Sequence, residues 1–202
     1  MPRLHHDPWP LAVWTRRIAL CLAVTLALTP AGRAEPERRE EAGASHAEVR
    51  QPDHTKAAAH RMTVKRAEVK AAVRKAAANR PKGRVWCVPF ARAVSGVDIR
   101  GNAKTWWDKA AGRYARGKQP VVGAVMAFSA SGAMPKGHVA VVSGVVDRRR
   151  ILIDQANWER DRITEDTLVV DVSPRNDWSQ VRVQNGAGSL GRVNPVTGFI
   201  YN

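Results

Sequence analysis

The chain has 202 residues, a formal net charge of +15 at pH 7 and two cysteines, Cys21 and Cys87. This length fits one domain with an extension rather than several domains, and two cysteines exclude a disulfide-rich scaffold. The excess of basic residues indicates an anionic partner such as cell-wall polymer, lipid headgroups or nucleic acid, although solubility alone would also explain it.

Residues 1–34 have the pattern of a secretory signal peptide. Arg16 and Arg17 precede an apolar run at 18–28, and small residues follow it at the expected cleavage site. The run is shorter than the roughly 20 residues of a membrane span, so we expect cleavage and no stable membrane insertion afterwards. Sec and twin-arginine export both stay open. The mature protein is expected in the periplasm or outside the cell, without Cys21.

Residues 35–83 are rich in Ala, Arg, Lys and Glu and contain few large apolar side chains. Such a composition cannot bury a core of its own. Ala, Lys, Arg and Glu nevertheless favour a helix over residues 56–78, which Pro81 and Gly83 would end. The sequence predicts a basic, Ala-rich, partly helical tether.

A compact domain is expected over residues 84–202. Apolar residues at helical spacing predict a helix that begins at Cys87 and stops at Gly96. Asn102 is a candidate N-cap for a second helix over residues 103–111.

The rest of this domain has the pattern of strands. Alternating and β-branched segments predict strands at residues 121–128, 138–146, 151–158, 168–172, 181–184 and 198–201. Turn-rich segments without helical periodicity separate them, which favours an antiparallel sheet. One of these segments is Asn-Pro-Val-Thr-Gly at residues 194–198, which is expected to form a turn. The expected fold class is α+β, with N-terminal helices packed on an antiparallel β-sheet.

Two residues of this domain have the chemistry of a thiol enzyme. Cys87 is the only cysteine after the signal segment, and His138 is the only histidine after residue 84. A helix N-terminus and a nearby imidazolium lower a thiol pKa below its usual value of about 8.5. His138 follows Gly137, which permits close approach, and could act first as a base and then as an acid.

A third group must hold the imidazole. Alternation along residues 151–158 places Gln155 and Asn157 on one face of the strand and Asp154 on the other. An amide oxygen that accepts from the second ring nitrogen is sufficient in Cys-His-Asn enzymes.

Purely structural roles are the alternative for both Cys87 and His138. An isolated cysteine is often a small buried apolar residue, and a histidine beside Val-Ala-Val-Val could be a core residue whose ring nitrogens are hydrogen-bonded. No cofactor is expected, and one cysteine with one histidine supplies too few soft ligands for a metal site.

Five segments of the chain carry a family resemblance, namely residues 86–92, 101–107, 120–128, 137–142 and 155–158. In this order they resemble the CHAP family, the cysteine, histidine-dependent amidohydrolases and peptidases of bacteria and their phages. The resemblance implies a papain-like α+β domain that cleaves peptidoglycan, with Cys87 as nucleophile and His138 as base.

The same resemblance places the orienting group on the strand that carries Gln155 and Asn157. Many members have Glu where this chain has Gln155. A neutral amide cannot stabilise an imidazolium as a carboxylate does, so Asn157 becomes the preferred orienting residue. Asp154 could replace it only if the strand bulges.

The function expected from these patterns is an exported cysteine hydrolase that acts on peptidoglycan, either an N-acetylmuramoyl-alanine amidase or an endopeptidase. The alternative is a catalytically silent domain that binds anionic wall polymer through its basic tether. Nucleic acid is not expected as a partner, because export and the lack of an aromatic-basic RNA signature argue against it.

Overall fold

In the described part of the chain, the helices come first and the strands follow. The computed structural model describes residues 54–80, 82–186 and 188–202. The helices are α1 (His54–Ala78), α2 (Cys87–Ser95) and α3 (Trp106–Ala110), with a 3₁₀ turn (Ala103–Thr105) directly before α3. The strands are β1 (Ala115–Gly117), β2 (Val125–Phe128), β3 (His138–Val145), β4 (Arg150–Ala156), β5 (Ile163–Asp171), β6 (Gln180–Gln184) and β7 (Leu190–Tyr201). In the described ranges, no helix is long and apolar enough to cross a membrane.

The strands form one antiparallel sheet in the order β1-β7-β2-β3-β4-β5-β6. Because β7 also pairs with β6, the six strands from β2 to β7 close into a barrel, and β1 extends it along β7. Short connections between neighbouring strands suit this antiparallel arrangement. The predicted α+β class and antiparallel sheet are confirmed at this level.

Two buried clusters lie on the two faces of the sheet. The cluster between helices and sheet contains Phe90 of α2 and Trp106 of α3, together with Val139 and Val141 of β3. The cluster inside the barrel is made by the alternate residues of the strands, such as Ala140, Val142, Ile151, Ile153 and Phe199. Strand alternation therefore gives each strand one face toward the helices and one toward the barrel interior.

Helix α1 is joined to the domain along its C-terminal half. Val69 and Val73 are buried in the cluster between helices and sheet, and Lys70 Nζ lies 2.7 Å from Asp154 Oδ1. The predicted helix within the tether 35–83 is present, but its last turns pack on the domain instead of lying apart from it. Two valines four residues apart supply this contact in a helix that is otherwise polar and Ala-rich.

Several predicted features lie in residues that the structure does not describe. The signal peptide (1–34), Cys21 within it and the first part of the tether lie outside the described residues. The division of the chain into signal, tether and catalytic domain stays a prediction there.

Some predicted boundaries differ from the observed ones. The structure begins β2 at Val125 instead of residue 121, β5 at Ile163 instead of 168 and β7 at Leu190 instead of 198. The added part of β5 is polar, with the letters Thr-Glu-Asp, so its strand conformation depends on pairing with β4 rather than on apolar alternation.

Two local expectations were wrong. Asn102 precedes the 3₁₀ turn, but its side chain makes no capping hydrogen bond. The Asn194-Pro195 segment, expected as a turn, lies inside β7, where Asn194 is buried and pairs with Val181 of β6. Pairing with neighbouring strands outweighs the turn preference of these residue types.

Candidate active site

The candidate nucleophile Cys87 is the first residue of α2. Trp86 precedes the helix in an extended conformation and provides no side-chain cap, so the first-turn amides stay available to other acceptors. Phe90 and Val94 face the core and fix the helix orientation. Gly96 ends the helix at φ 75°, in the left-handed conformation that favours glycine. The predicted placement of Cys87 at a helix start is confirmed.

The candidate base His138 is the first residue of β3, directly opposite Phe128 of β2. Gly137 before it has φ +67°, and a Cβ there would lie 2.7 Å from the Lys104 backbone nitrogen and 2.9 Å from the Phe128 carbonyl oxygen. A side chain at position 137 would therefore collide with backbone on two sides. Glycine at this position lets the chain deliver His138 close to its neighbours.

The imidazole of His138 lies in an apolar environment. Its ring centroid is 5.6 Å from that of Phe128 and 5.1 Å from that of Trp158, both near edge-to-face, and only 5% of the residue is exposed. Burial lowers the pKa of His138 from 6.5 to about 4, and the hydrogen bond with Gln155 offsets part of that effect. The ring is therefore neutral at pH 7.

Gln155 is the residue that holds the imidazole. Its Oε1 lies 3.0 Å from His138 Nε2, and its side chain is fully buried. An amide oxygen can only accept, so Nε2 carries the proton and Nδ1 is the unprotonated nitrogen of the neutral ring. Within the described part of the chain, Gln155 Nε2 has no hydrogen-bond partner.

Asn157, the preferred orienting residue in the sequence, is placed differently. Strand β4 ends at Ala156, and Asn157 takes φ 62° in the turn that follows. Its Oδ1 accepts from the Asp161 backbone N–H over 3.0 Å. The preference for Asn157 over Gln155 is therefore corrected: the structure shows Gln155 in contact with His138, whereas Asn157 organises the turn.

The cause of this difference is the shape of β4. Its pairing with β5 shifts register between Ile153 and Gln155, but side-chain alternation continues as far as Ala156. The strand ends there, so Asn157 lies beyond the alternating segment. Asp154 is fully buried but points away from His138, toward Lys70 of α1 at 2.7 Å. The bulge that would have made Asp154 a candidate is present, yet it leaves the carboxylate on the helix side.

Cys87 and His138 line one cleft with a volume of about 830 Å³. The backbone N–H of Val139, the residue after His138, acts on the Cys87 thiol to lower its pKa, so the sulfur lies beside the start of β3. Asn157 and Trp158 form another wall of this cleft. The structure thus brings all four predicted site residues to one place, with Gln155 behind His138.

Burial raises the pKa of the Cys87 thiol, and the N–H groups of Val139, Val88 and Cys87 itself offset this only in part. The sequence suggested a lowered thiol pKa, assisted by an imidazolium. The structure differs because His138 is buried beside aromatic rings and carries no charge at neutral pH. The resting pair is a neutral thiol and a neutral imidazole.

Three contributors to the site were not found in the sequence. Phe128 and Trp158 enclose the imidazole, and the only signal for Trp158 was its place in the Gln-Ala-Asn-Trp segment. Lys70 neutralises Asp154, the neighbour of Gln155, from 84 residues away. No local pattern could have linked these two positions.

An α+β domain with a thiol at a helix start and an imidazole at a strand start in one cleft has the arrangement used by cysteine hydrolases. Residues 79–157 match the family model of the CHAP domain. This match covers 79 of the 202 residues and supports the CHAP family membership that the motifs predict. The CHAP domain is associated with Cys/His amidohydrolase or peptidase activity on peptidoglycan. No curated protein matches the chain.

Proposed function

We propose that the protein is an exported peptidoglycan hydrolase that cleaves amide or peptide bonds, with Cys87 as nucleophile and His138 as general base. The observation that supports this is the placement of both side chains in one cleft, with Gln155 on the far nitrogen of the ring. The proposal includes the papain-like character of the domain and release to the periplasm or the outside of the cell.

The first chemical step follows from the neutral resting pair. As Cys87 Sγ attacks the carbonyl carbon of the scissile amide, His138 Nδ1 accepts the thiol proton, so thiolate forms only during attack. The carbonyl oxygen becomes an oxyanion, which the backbone N–H of Cys87 at the start of α2 is placed to stabilise. Proton transfer during attack suits a thiol whose pKa is raised by burial.

The second step releases the amine. The tetrahedral intermediate collapses, the C–N bond breaks, and the protonated His138 gives its proton to the leaving nitrogen. A thioester on Cys87 remains. His138, again neutral, takes a proton from water as the water attacks the thioester carbon. The C–S bond then breaks, the protonated His138 returns its proton to the leaving sulfur, and the carboxylic acid product departs from the restored thiol.

Gln155 positions the base in this scheme. By accepting from Nε2–H it keeps Nδ1, the other ring nitrogen, unprotonated and able to act as the base. A neutral amide adds less to the stability of the imidazolium than a carboxylate does, so orientation rather than charge is its contribution.

A second candidate function is a catalytically silent wall-binding domain. It is favoured by the uncharged resting pair, because a buried neutral thiol and imidazole would also suit a purely structural role. The two functions differ in whether Cys87 is needed for bond cleavage.

Digestion of purified cell wall tests the hydrolase. The parent protein should release new amine end groups. A new amine on the peptide residue that was attached to the glycan indicates an amidase, and a new amine elsewhere in the peptide indicates an endopeptidase. Cys87→Ala should abolish release while keeping the fold and wall binding, because covalent catalysis has no substitute for its nucleophile. If Cys87→Ala releases the same end groups at the parental rate, the hydrolase proposal is wrong.

A further inference from the structure

A second cleft, here called the side cleft, lies beside the catalytic cleft and has a volume of about 450 Å³. It is formed by the last turns of α1, the connection to α2, the first turns of α2, the end of β4 and the start of β5. Trp86 and Pro89 line both clefts. Since Trp86 directly precedes Cys87, a ligand that crosses this shared wall reaches from one cleft into the other.

The floor of the side cleft is apolar and closed. Val85, Phe90 and Ala156 are buried beneath it. Two small residues of α1, Ala72 and Ala76, leave room above that floor where longer side chains would fill it. The floor therefore suits methyl and methylene groups rather than an isolated hydrated ion.

The rim of the side cleft is basic. Arg84 is already engaged, because its Nε lies 3.4 Å from Asp161 Oδ1 and its guanidinium lies 5.0 Å from the centroid of the Trp86 ring. Lys75 and Arg80 line the same rim, and among the described residues no carboxylate pairs with either. Two cations beside an apolar floor, without acidic partners of their own, favour a ligand with carboxylates and short aliphatic groups.

We infer that the side cleft binds a carboxylate-bearing stretch of stem peptide in the wall polymer whose scissile amide lies at Cys87. This inference rests on the proposed function and adds to it a second contact region for the substrate. Lys75 and Arg80 hold the carboxylates, the apolar floor receives the aliphatic groups, and Trp86 supports the peptide where it passes between the clefts.

The side cleft is not a property of the matched family region alone. The family match begins at residue 79, whereas Ala72, Lys75 and Ala76 belong to α1 before it. The helix that packs on the domain therefore completes a binding site next to the catalytic cleft. This gives α1 a direct role in recognition of the substrate.

Charge-matched variants test this inference. Lys75→Gln/Arg80→Gln removes the two rim charges, and Arg74→Gln/Lys82→Gln removes two exposed charges from the same segment that line neither cleft. On soluble disaccharide-peptide fragments we expect the rim pair to raise KM about tenfold, because two partly exposed charge contacts with the substrate are lost. The kcat should stay unchanged. The control pair should keep both constants within twofold.

Substrate chemistry provides the second comparison. Fragments whose carboxylates have been converted to amides should show a KM about tenfold higher with the parent protein, and the rim pair should cause no further loss on them. Equal effects of the rim and control pairs, or an equal loss on free and amidated fragments, would overturn the inference. Urea unfolding midpoints of both pairs show whether either variant has lost its fold.

Binding measurements separate this inference from the proposed function. Both pairs are introduced into Cys87→Ala protein, and the Kd of the fragments is measured by calorimetry. A weaker Kd for the rim pair alone supports the side cleft even if the parent cleaves nothing, in which case only the hydrolase proposal fails. Equal Kd values for the two pairs would overturn the side cleft even if the parent is active.

Discussion

The charge state of His138 decides how the candidate site operates. Its ring is enclosed by Phe128 and Trp158, and burial lowers its pKa from 6.5 to about 4. In the unfolded chain the ring is exposed and titrates near its ordinary value. Between these two values the unfolded state binds more protons than the folded state, so stability rises with pH across that window.

The first prediction at the residue scale is therefore a pH-dependent loss of stability. The free energy of unfolding should decrease by about 3 kcal/mol as pH falls from 6.5 to 4, at roughly 1.4 kcal/mol per pKa unit. Urea unfolding at several pH values measures this decrease, and His138→Phe provides the control, since it removes the titrating ring. A His138 NMR titration with a midpoint above 6 would contradict the prediction.

The second residue-scale prediction concerns which amide orients the imidazole. Gln155→Ala should reduce kcat by about 10²-fold, the scale expected when a reacting group is misplaced by about an ångström. Asn157→Ala should cost much less, because its side chain bonds the Asp161 backbone rather than the ring. Kinetics of both variants on one defined fragment measure the difference.

Gln155→Glu is the informative companion to these two variants. A carboxylate at this position favours imidazolium, so the pKa of His138 should rise in that variant. The opposite order, with Asn157→Ala more damaging than Gln155→Ala, would show that the turn rearranges when substrate binds and that Asn157 is the orienting group.

At the scale of elements, α1 is tied to the domain by buried charge as well as by Val69 and Val73. Asp154 is fully buried, and Lys70 Nζ lies 2.7 Å and 3.0 Å from its two oxygens. The backbone N–H of Asp166 also donates to Asp154 Oδ1 over 2.7 Å. Burial lowers the pKa of Lys70, but its hydrogen bonds with Asp154 and Asp166 outweigh that effect, so its pKa is raised.

Removal of one partner should therefore be costly. Lys70→Met leaves the Asp154 carboxylate buried without its cation, which we expect to reduce the free energy of unfolding by about 3 kcal/mol. Lys70→Met/Asp154→Asn should recover most of this loss, since Asn keeps an acceptor for the Asp166 N–H without the charge. Urea unfolding of the single and double variants measures both. A double variant less stable than Lys70→Met would rule out an unpaired charge as the cause.

The positions of some helices and strands could be predicted from the sequence, whereas others could not. The helix start at Cys87 and the strand start at His138 were predictable because local residues fix both, through a helical apolar pattern and through Gly137. The choice of Gln155 was not predictable, because the local sequence does not show that β4 ends at Ala156 and that Asn157 turns away at φ 62°. The packing of α1 had only one signal, two valines four residues apart.

The charge state of the thiol was missed for a similar reason. A helix N-terminus lowers a thiol pKa, and this effect is visible in the sequence as a cysteine at a predicted helix start. The opposing effect is burial, which raises the pKa of Cys87 and depends on residues from distant parts of the chain. Burial has the larger effect on the pKa of Cys87, so the pKa is raised.

At the scale of the whole molecule, the basic charge of the extension is concentrated in one element. Residues 35–53 contain three basic and six acidic side chains, whereas residues 54–80 contain eight basic and one acidic. The second stretch is α1 with two following residues, and its C-terminal half is packed on the domain. Attraction to an anionic wall should therefore come from a helix attached to the domain rather than from the segment before it.

This distribution gives the last prediction. Arg61→Glu/Lys65→Glu changes two exposed residues of α1 that line neither cleft and should weaken adsorption to intact wall several-fold at low salt. The difference should shrink as added salt screens exposed charges beyond about 10 Å at 0.1 M. Arg148→Glu/Arg182→Glu changes the net charge equally at exposed positions outside α1 and should affect adsorption less. Deletion of residues 35–53 should not weaken adsorption, because it removes more negative than positive charge. Sedimentation of each variant with purified wall across a salt series measures all three, and strong loss after the deletion would place the wall-binding determinant before α1.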